Sequence, residues 1–577
     1  MLDKEKIFET FKLPISFTTN KHKLSKEIKQ DLELIKTNDT SNQNSTYHTL
    51  LNPNSEFDSL SFEYWGKYFS SDKVFLKDSQ ILYKNINDLQ NQQHKTDKMI
   101  QIWNKINNES DFIEKYQYID WERLYFLNKS KLFLSILSFY NITSPILQLI
   151  APLFVFITPF LLMKSLGTQI TAELYIKILL ENLKHQPFVK LFISFNTMNL
   201  GQQIYGLLMI GLYIYNIYSN IVSCYKFYIQ MKVITSEFTD IKLYLDYTIE
   251  KMIFIHNKTK HLKSYTNFNI HLLNYKNKLS NFLNSIRDIP KSIFSKFNIV
   301  YIGTIMKYYF ILWDSSDIEE IFNYSFGFNC FYNNLIGINK NIQQQKINIC
   351  EFKKKSTKII QTFHPAIKTK VIKNDIKLNK NKIITGPNAS GKTTLLKSIT
   401  INIILSQQFG LGFYKKCIIN PYQHIHCYIN IPDTSDRDSL FQSEARRCKT
   451  ILDSILYNKK DRHFCIFDEL YSGTNPYEAI ATAYSYLTHI CDKKNVDFIL
   501  TTHYIKLCEL FEKNTTINNI HMKTNIKNNK PQYFYKIKNG ISQIKGGVHV
   551  LKQLQYPKKI TNKALKKAAL IKLIEEN

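Results

Sequence analysis

The sequence predicts a mostly α-helical region over about the first 350 residues, followed by an α/β domain of the phosphate-loop class. Three observations carry this. A short apolar strand runs into Gly386-Pro387-Asn388-Ala389-Ser390-Gly391-Lys392-Thr393-Thr394 and on into a helix. A second apolar strand, Phe464-Cys465-Ile466-Phe467, ends on Asp468-Glu469. Upstream, apolar residues recur at helical spacing over long stretches, with two uncharged runs among them.

The chain is long enough, at 577 residues, for two or more domains with a substantial core. Lys and Arg number 76 against 47 Asp and Glu, a formal charge of +29. That balance favours polyanionic partners, nucleic acid or an acidic membrane face. A codon bias toward Lys, Asn and Ile would also produce it. The nine cysteines show no C-x-x-C pair and no metal-ligand spacing, as expected in a reducing compartment. Met1-Leu2-Asp3-Lys4-Glu5-Lys6 mixes charges with no apolar run behind it, unlike a cleavable signal peptide.

In chain order, residues 1–55 are polar, rich in Asn, Ser, Thr and Lys, and read as partly disordered. Residues 56–131 return to helical spacing (Trp65, Phe69, Ile81, Leu89, Trp103, Phe112). In 132–225, Leu132–Met163 and Leu191–Tyr225 contain no charge. Either run exceeds the roughly 20 residues that cross a bilayer. Two readings stand here: a two-helix membrane hairpin, or a pair of buried core helices. Pro145, Pro152 and Pro159 recur every seven residues and would kink a water-soluble helix, whereas membrane helices tolerate them. Residues 226–352 read as long amphipathic, lever-like helices (Ile234, Phe238, Ile241, Leu245), with breaks expected at Pro290 and near Gly327. The α/β domain is placed at 353–556, and a basic helix at 557–577.

The phosphate loop carries its own chemistry. Gly386 and Gly391 let backbone N–H groups turn inward around a polyphosphate, at the positive end of the following helix. Lys392 can reach the β- and γ-phosphates, and the Thr393 hydroxyl can ligate Mg²⁺. Asp468, at the carboxyl end of a buried strand, would complete the Mg²⁺ shell, and Glu469 would orient or deprotonate the attacking water. A third strand, Asp497–Thr502, delivers His503 to the same edge, where an imidazole can sense the γ-phosphate. The residues therefore predict a nucleoside triphosphate site with catalytic Glu469 and His503.

Gly-Pro-Asn-x-x-Gly-Lys-Thr, Asp468-Glu469-Leu470-x-x-Gly473-Thr474 and Thr502-His503-Tyr504 together resemble the ATPase domain of the MutS family, an ABC-type fold. The likeness extends to His364-Pro365, Asn374-Asp375, Phe534-Tyr535-Lys536-Ile537-Lys538-x-Gly540 and Gly547-Val548-His549-Val550, closing at Pro557. An ABC transporter is disfavoured because no Leu-Ser-Gly-Gly-Gln signature is present. The resemblance implies ATP and Mg²⁺ as ligands and a dimer in which Ser439, within Ser439-Leu440-Phe441-Gln442-Ser443-Glu444, reaches the partner's γ-phosphate. Two positions depart from the family: Asp436-Arg437-Asp438 replaces a glycine-arginine run, and Val371 stands where an adenine-stacking aromatic is usual. No Gly-x-Phe-Tyr-Glu mismatch wedge occurs, and the remaining residues are too few for the family's mismatch-reading, connector and full lever domains.

The function expected on these grounds is a dimeric MutS-like ATPase that drives a DNA clamp in mismatch repair or recombination, in the nucleus or cytoplasm, with membrane attachment through 132–225 as an added feature. The alternative is a membrane-embedded ATPase acting on lipid or protein without DNA.

Overall fold

The computed structural model describes residues 2–37, 44–87, 93–150, 154–165, 167, 171–185, 189, 199–293, 298–429, 439–527, 530–542, 544, 551, 554–564 and 566–567. They form two compact units. One comprises Lys4–Asn91, Lys251–Tyr275 and Asn323–Asn577; the other comprises Met1–Asp3, Gln92–Glu250 and Lys276–Phe322.

The first unit opens with α1 (Lys4–Thr10), β1 (Lys21–Lys23), α2 (Lys26–Asp31), α3 (Thr46–Leu51), β2 (Tyr68–Ser70) and α4 (Lys73–Asn85), with β1 antiparallel to β2. The disorder expected over 1–55 is corrected here. Ile7, Phe8, Phe11, Leu13 and Ile15 are buried. The polar residues that suggested disorder include helix caps: Ser25 accepts from the Ile28 N–H and Ser45 from the His48 N–H. Residues 38–43 lie outside the described set.

Helices dominate the second unit: α5 (Gln93–Asn108), α6 (Lys131–Ile150), α7 (Phe154–Ser165), α8 (Ala172–His185), α9 (Leu200–Thr259), α10 (Thr266–Ile286), α11 (Ile302–Asp314) and α12 (Ser316–Gln343). The last residues of α9 and α12 and the first of α10 belong to the other unit. Ile234, Phe238, Ile241 and Leu245 are buried, the stripe that the sequence spacing predicts. The apolar runs behave differently. α6 and α9 are long and apolar enough to cross a membrane, and only 22% and 0% of their most apolar windows are buried. Residues 191–198 of the second run lie outside the described set.

The break expected near Gly327 is absent, because α12 runs through it. A Cβ there would lie 2.5 Å from the Phe11 Cβ, so the glycine lets α12 seat the Phe11 side chain. The break at Pro290 agrees with the end of α10 at Ile286.

The remainder is mixed α/β. Strands β3 (Asn348–Phe352), β4 (Lys358–Thr362), β5 (Asn374–Lys377), β6 (Asn381–Thr385), β7 (Leu411–Gly412), β8 (Lys416–Ile419), β9 (His424–Tyr428), β10 (His463–Asp468), β11 (Val496–Thr502), β12 (Ile517–Lys527) and β13 (Lys530–Asn539) make two sheets. One has the order β5-β4-β8-β3-β7. The other has the order β13-β12-β6-β11-β10-β9. In the second, β12, β6, β11, β10 and β9 are parallel, and β13 closes the edge antiparallel. Helices α13 (Lys392–Gln408), α14 (Leu440–Tyr457), α15 (Pro476–Cys491) and α16 (Ile505–Leu510) follow β6, β9, β10 and β11 in turn or after intervening strands. β6 is wholly buried and β10 nearly so, as strands covered on both faces must be. The carboxyl ends of β6, β10 and β11 therefore open side by side.

Candidate functional site

The loop after β6 is shaped by its glycines. Gly391 has φ +90°, in the left-handed region, and caps α13. At Gly386 a Cβ would stand 2.8 Å from the Ser390 Oγ, so the tight turn has no room for one. Ala389 also takes positive φ, +62°. Ser390 Oγ is buried without a hydrogen-bond partner among the described residues, an atom that invites a ligand.

Lys392 folds back over the loop, its Nζ 3.1 Å from the Gly386 carbonyl and 3.4 Å from that of Pro387. Burial lowers its pKa, while Glu469 and Asp468 oppose the shift. The Thr393 hydroxyl donates to the Asp468 carboxylate at 2.8 Å, and the Thr501 hydroxyl donates to its other oxygen. Glu469 follows in a left-handed conformation, φ +56°. Its carboxylate lies 2.6 Å from the His503 Nε2, which is itself 3.2 Å from the Lys392 Nζ. One nitrogen cannot donate to the carboxylate and accept from the ammonium at once, so the short Glu469 contact is the hydrogen bond. That bond holds the Glu469 pKa below the usual carboxylate range, against burial. Lys392, Thr393, Asp468, Glu469 and His503, drawn from three strand ends, thus meet in one place.

Beside them lies a cleft of about 570 Å³, lined by Asn388–Leu395, Glu469, Phe363, His364, Met522 and Tyr535. That is the size of a small-molecule site. Val371 does not line it and belongs to a neighbouring hollow with Lys373 and Lys536. The aromatic wall comes instead from Phe363, His364 and Tyr535, whose ring would sit 3.0 Å from a Cβ at Gly391. Burial pushes the His364 pKa down to about 4, which keeps the ring neutral. Asn374 holds Tyr535 in place, donating to its carbonyl at 2.9 Å and accepting from the Ile537 N–H at 3.1 Å. The sequence motif contains Tyr535, but its role emerges only when β13 folds back toward the loop.

Ser439 stands at the N-cap of α14, outside this cleft. Its hydroxyl accepts from the Gln442 N–H at 3.3 Å, and the Gln442 side chain accepts from the Ser439 N–H at 2.9 Å. Among the described residues no acceptor takes the hydrogen of this exposed hydroxyl. From the same helix, Glu444 takes the Ser472 N–H (3.1 Å), the Ser472 hydroxyl (2.9 Å) and the Gly473 N–H (3.1 Å). A Cβ on Gly473 would lie 2.8 Å from the Leu440 Cγ. The start of α14 and the turn after Glu469 are therefore one packed piece, a link the sequence does not reveal.

Residues 382–572 match the family model for MutS domain V. The DNA mismatch repair protein MSH2 of Saccharomyces cerevisiae is 30% identical over 233 residues, 37% of this chain and 23% of that protein. The DNA mismatch repair protein MutS of Persephonella marina is 29% identical over 213 residues, 36% of this chain and 24% of that protein. This chain carries a divergent MutS-family domain V. The MutS protein of Bacillus subtilis, 26% identical over 216 residues, covers a similar share, 36% of this chain and 25% of its own. The chain spans about a quarter of the length of these MutS relatives, and the family model falls wholly within the sheet-bearing region. The helical residues before it lie outside that match.

Proposed function

We propose that the chain binds and hydrolyses Mg·ATP at this cleft, as a dimer through its MutS-like domain, and couples the cycle to DNA. The observation that carries the reading is the convergence of Lys392, Thr393, Asp468, Glu469 and His503 beside a cleft of nucleotide size. The loop N–H groups and Lys392 hold the β- and γ-phosphates. Thr393 and Asp468 offer hard oxygen donors that suit Mg²⁺, which when bound would neutralise phosphate charge. Glu469 takes the proton of the attacking water, with His503 orienting its carboxylate. Tyr535 and His364 flank the space left for the base. Ser439 donates its hydroxyl hydrogen to the partner's γ-phosphate. Glu444 carries the resulting movement of α14 to the turn after Glu469.

DNA enters from the relatives, which are mismatch repair proteins, and from the +29 charge. Such a protein works in the nucleus or cytoplasm, where ATP is supplied. The test is ATP turnover by wild type, Lys392→Ala and Glu469→Gln, alongside DNA retention across a salt series. Lys392→Ala is expected to lose nucleotide binding. Glu469→Gln is expected to bind but turn over at least ~100-fold more slowly, the low end of a general base's contribution. Wild-type turnover in both overturns the site. No retention on duplex or branched DNA at low salt overturns the DNA half, since phosphate contacts are strongest there.

A further inference from the structure

The paired helices α6 and α9 carry an arrangement that the proposed ATPase does not use. They run antiparallel: the Cys224 thiol approaches the Ile142 carbonyl, while the Tyr213 hydroxyl donates to the Gln148 carbonyl at 3.0 Å. What joins them is polar. Gln148 on α6 donates to the Asn216 side chain on α9 at 3.3 Å, and within α9 Asn220 donates to the same oxygen at 3.3 Å. Gln117, which precedes α6, bridges the pair by accepting from Asn141 at 2.5 Å and donating to the Ser223 hydroxyl at 3.3 Å.

What faces outward is mostly apolar, with Gln202, Asn216 and Ser219 on α9 as exposed polar exceptions. Leu132, Ile136, Phe139, Ile146, Leu147 and Ile150 on α6 are exposed, as are Leu200, Ile204, Leu207, Leu208, Leu212 and Ile214 on α9. With Tyr205, Met209, Tyr215 and Tyr218, the α9 side chains extend around more than half of the helix circumference, at about 100° per residue. A soluble hairpin has the opposite polarity, and a second copy of the chain would cover one face of the pair, not its girth.

Length, charge and backbone agree on the occupant. α6 has 20 residues, about 30 Å at 1.5 Å per residue, the thickness of a hydrocarbon core. No Asp, Glu, Lys or Arg lies between Lys131 and the end of α6, or between Leu200 and Lys226 on α9. The antiparallel register brings Lys232 level with Lys131, where anionic headgroups would meet them, and leaves Lys226 nearer the middle of α6. Pro145 inside α6 removes the N–H that would serve the Asn141 carbonyl, and the Ser144 hydroxyl donates to that carbonyl at 3.4 Å. A freed carbonyl exposed to water needs no such donor, whereas one in lipid does.

We propose that α6 and the Leu200–Tyr225 part of α9 insert into a lipid bilayer as an antiparallel pair, joined through Gln148 and Asn216, with the basic end at an anionic leaflet. This surface is independent of the nucleotide site, so its test reads partition, not turnover. The full chain is mixed with vesicles of phosphatidylcholine and phosphatidylglycerol, floated, and washed with alkaline carbonate. Wild type is expected to float and to resist the wash, and a Phe139→Asp, Leu208→Asp, Ile214→Asp variant to stay with the soluble fraction. A Leu208→Trp variant, which keeps the surface apolar, is expected to gain emission that dibrominated acyl chains quench. Carbonate-soluble wild type, a dimer in detergent-free buffer that does not float, or Leu208→Trp emission that matches wild type in brominated lipid would each overturn the proposal.

Discussion

Residue by residue, the candidate nucleotide site is a set of groups held close to the conformation each would need. Lys392 waits on two loop carbonyls that a phosphate can replace. Glu469 sits in the left-handed region, where a non-glycine residue costs roughly 1–3 kcal/mol and persists only if its surroundings impose it. The His503 hydrogen bond is one such restraint. Tyr535 is the group with the least to do except meet a base, since its ring stands over Gly391 and its backbone is pinned by Asn374. Stacking of a base on an aromatic ring is worth about 1–3 kcal/mol by alanine substitution. Tyr535→Ala is therefore expected to raise the KM for ATP by on the order of tenfold with little change in kcat, measured by steady-state hydrolysis. An unchanged KM would remove Tyr535 from the base site. The phosphate-loop residues of the candidate site could be picked out in the sequence because one loop of nine consecutive residues carries them. Tyr535, His364 and Glu444 were not assignable, because their contacts close over 28 or more residues and depend on which strands become neighbours.

At the scale of the element, composition misled where geometry decides. The Ser- and Asn-rich first 55 residues read as disorder, yet part of that polarity caps α2 and α3. Helix spacing alone also cannot reveal when two backbones touch. At Gly337, within α12, a Cβ would lie 1.7 Å from the Leu51 carbonyl oxygen that ends α3. Replacing glycine by alanine inside a helix ordinarily gains about 0.8–1 kcal/mol. Overpacking against a rigid group costs about 1–3 kcal/mol, and here the obstacle is backbone. The clash wins, and Gly337→Ala is expected to lower the denaturation midpoint; a higher midpoint would refute that packing. The edge formed by β9 and β10 predicts a response to acid. His424 and His463 stack at 4.6 Å, and the His426 Nε2 lies 3.1 Å from the His463 Nδ1. Burial and the neighbouring imidazoles push His426 down to about 3, and burial lowers His463. The unfolded chain takes up these protons near pH 6.5 and the folded chain only well below it. Stability is therefore fully present above pH 6.5 and declines as pH falls toward 3. Thermal midpoints measured from pH 7 to pH 4 are expected to fall, with a shallower slope in His426→Gln. Identical slopes would show that this histidine does not carry the effect.

For the whole molecule, the sequence indicated the order of parts, helical then α/β, but left the apolar runs between two environments. The placement of Gln148 opposite Asn216, with leucines exposed around them, is what the membrane proposal rests on. Assembly poses a similar question, since no single chain can show what Ser439 does. Its exposed hydroxyl accepts one bond at the cap of α14, and among the described residues its hydrogen meets no acceptor. If that hydrogen serves a γ-phosphate on a second copy, the dimer is tightest while ATP is intact. Blocking hydrolysis then accumulates it. Glu469→Gln with Mg·ATP, in detergent where needed, is expected to sediment at twice the chain mass and to return to the single-chain mass with ADP. Ser439→Ala in that background is expected to abolish the ATP-dependent dimer, because alanine removes the donor. It also removes the helix cap, which by itself costs about 0.5–2 kcal/mol. Ser439→Asp separates the two effects: aspartate caps a helix as well as serine does, but offers no hydrogen and would oppose a phosphate. If Ser439→Asp still dimerised with ATP, the serine would be a cap and nothing more, and the partner's phosphate would be met by another group.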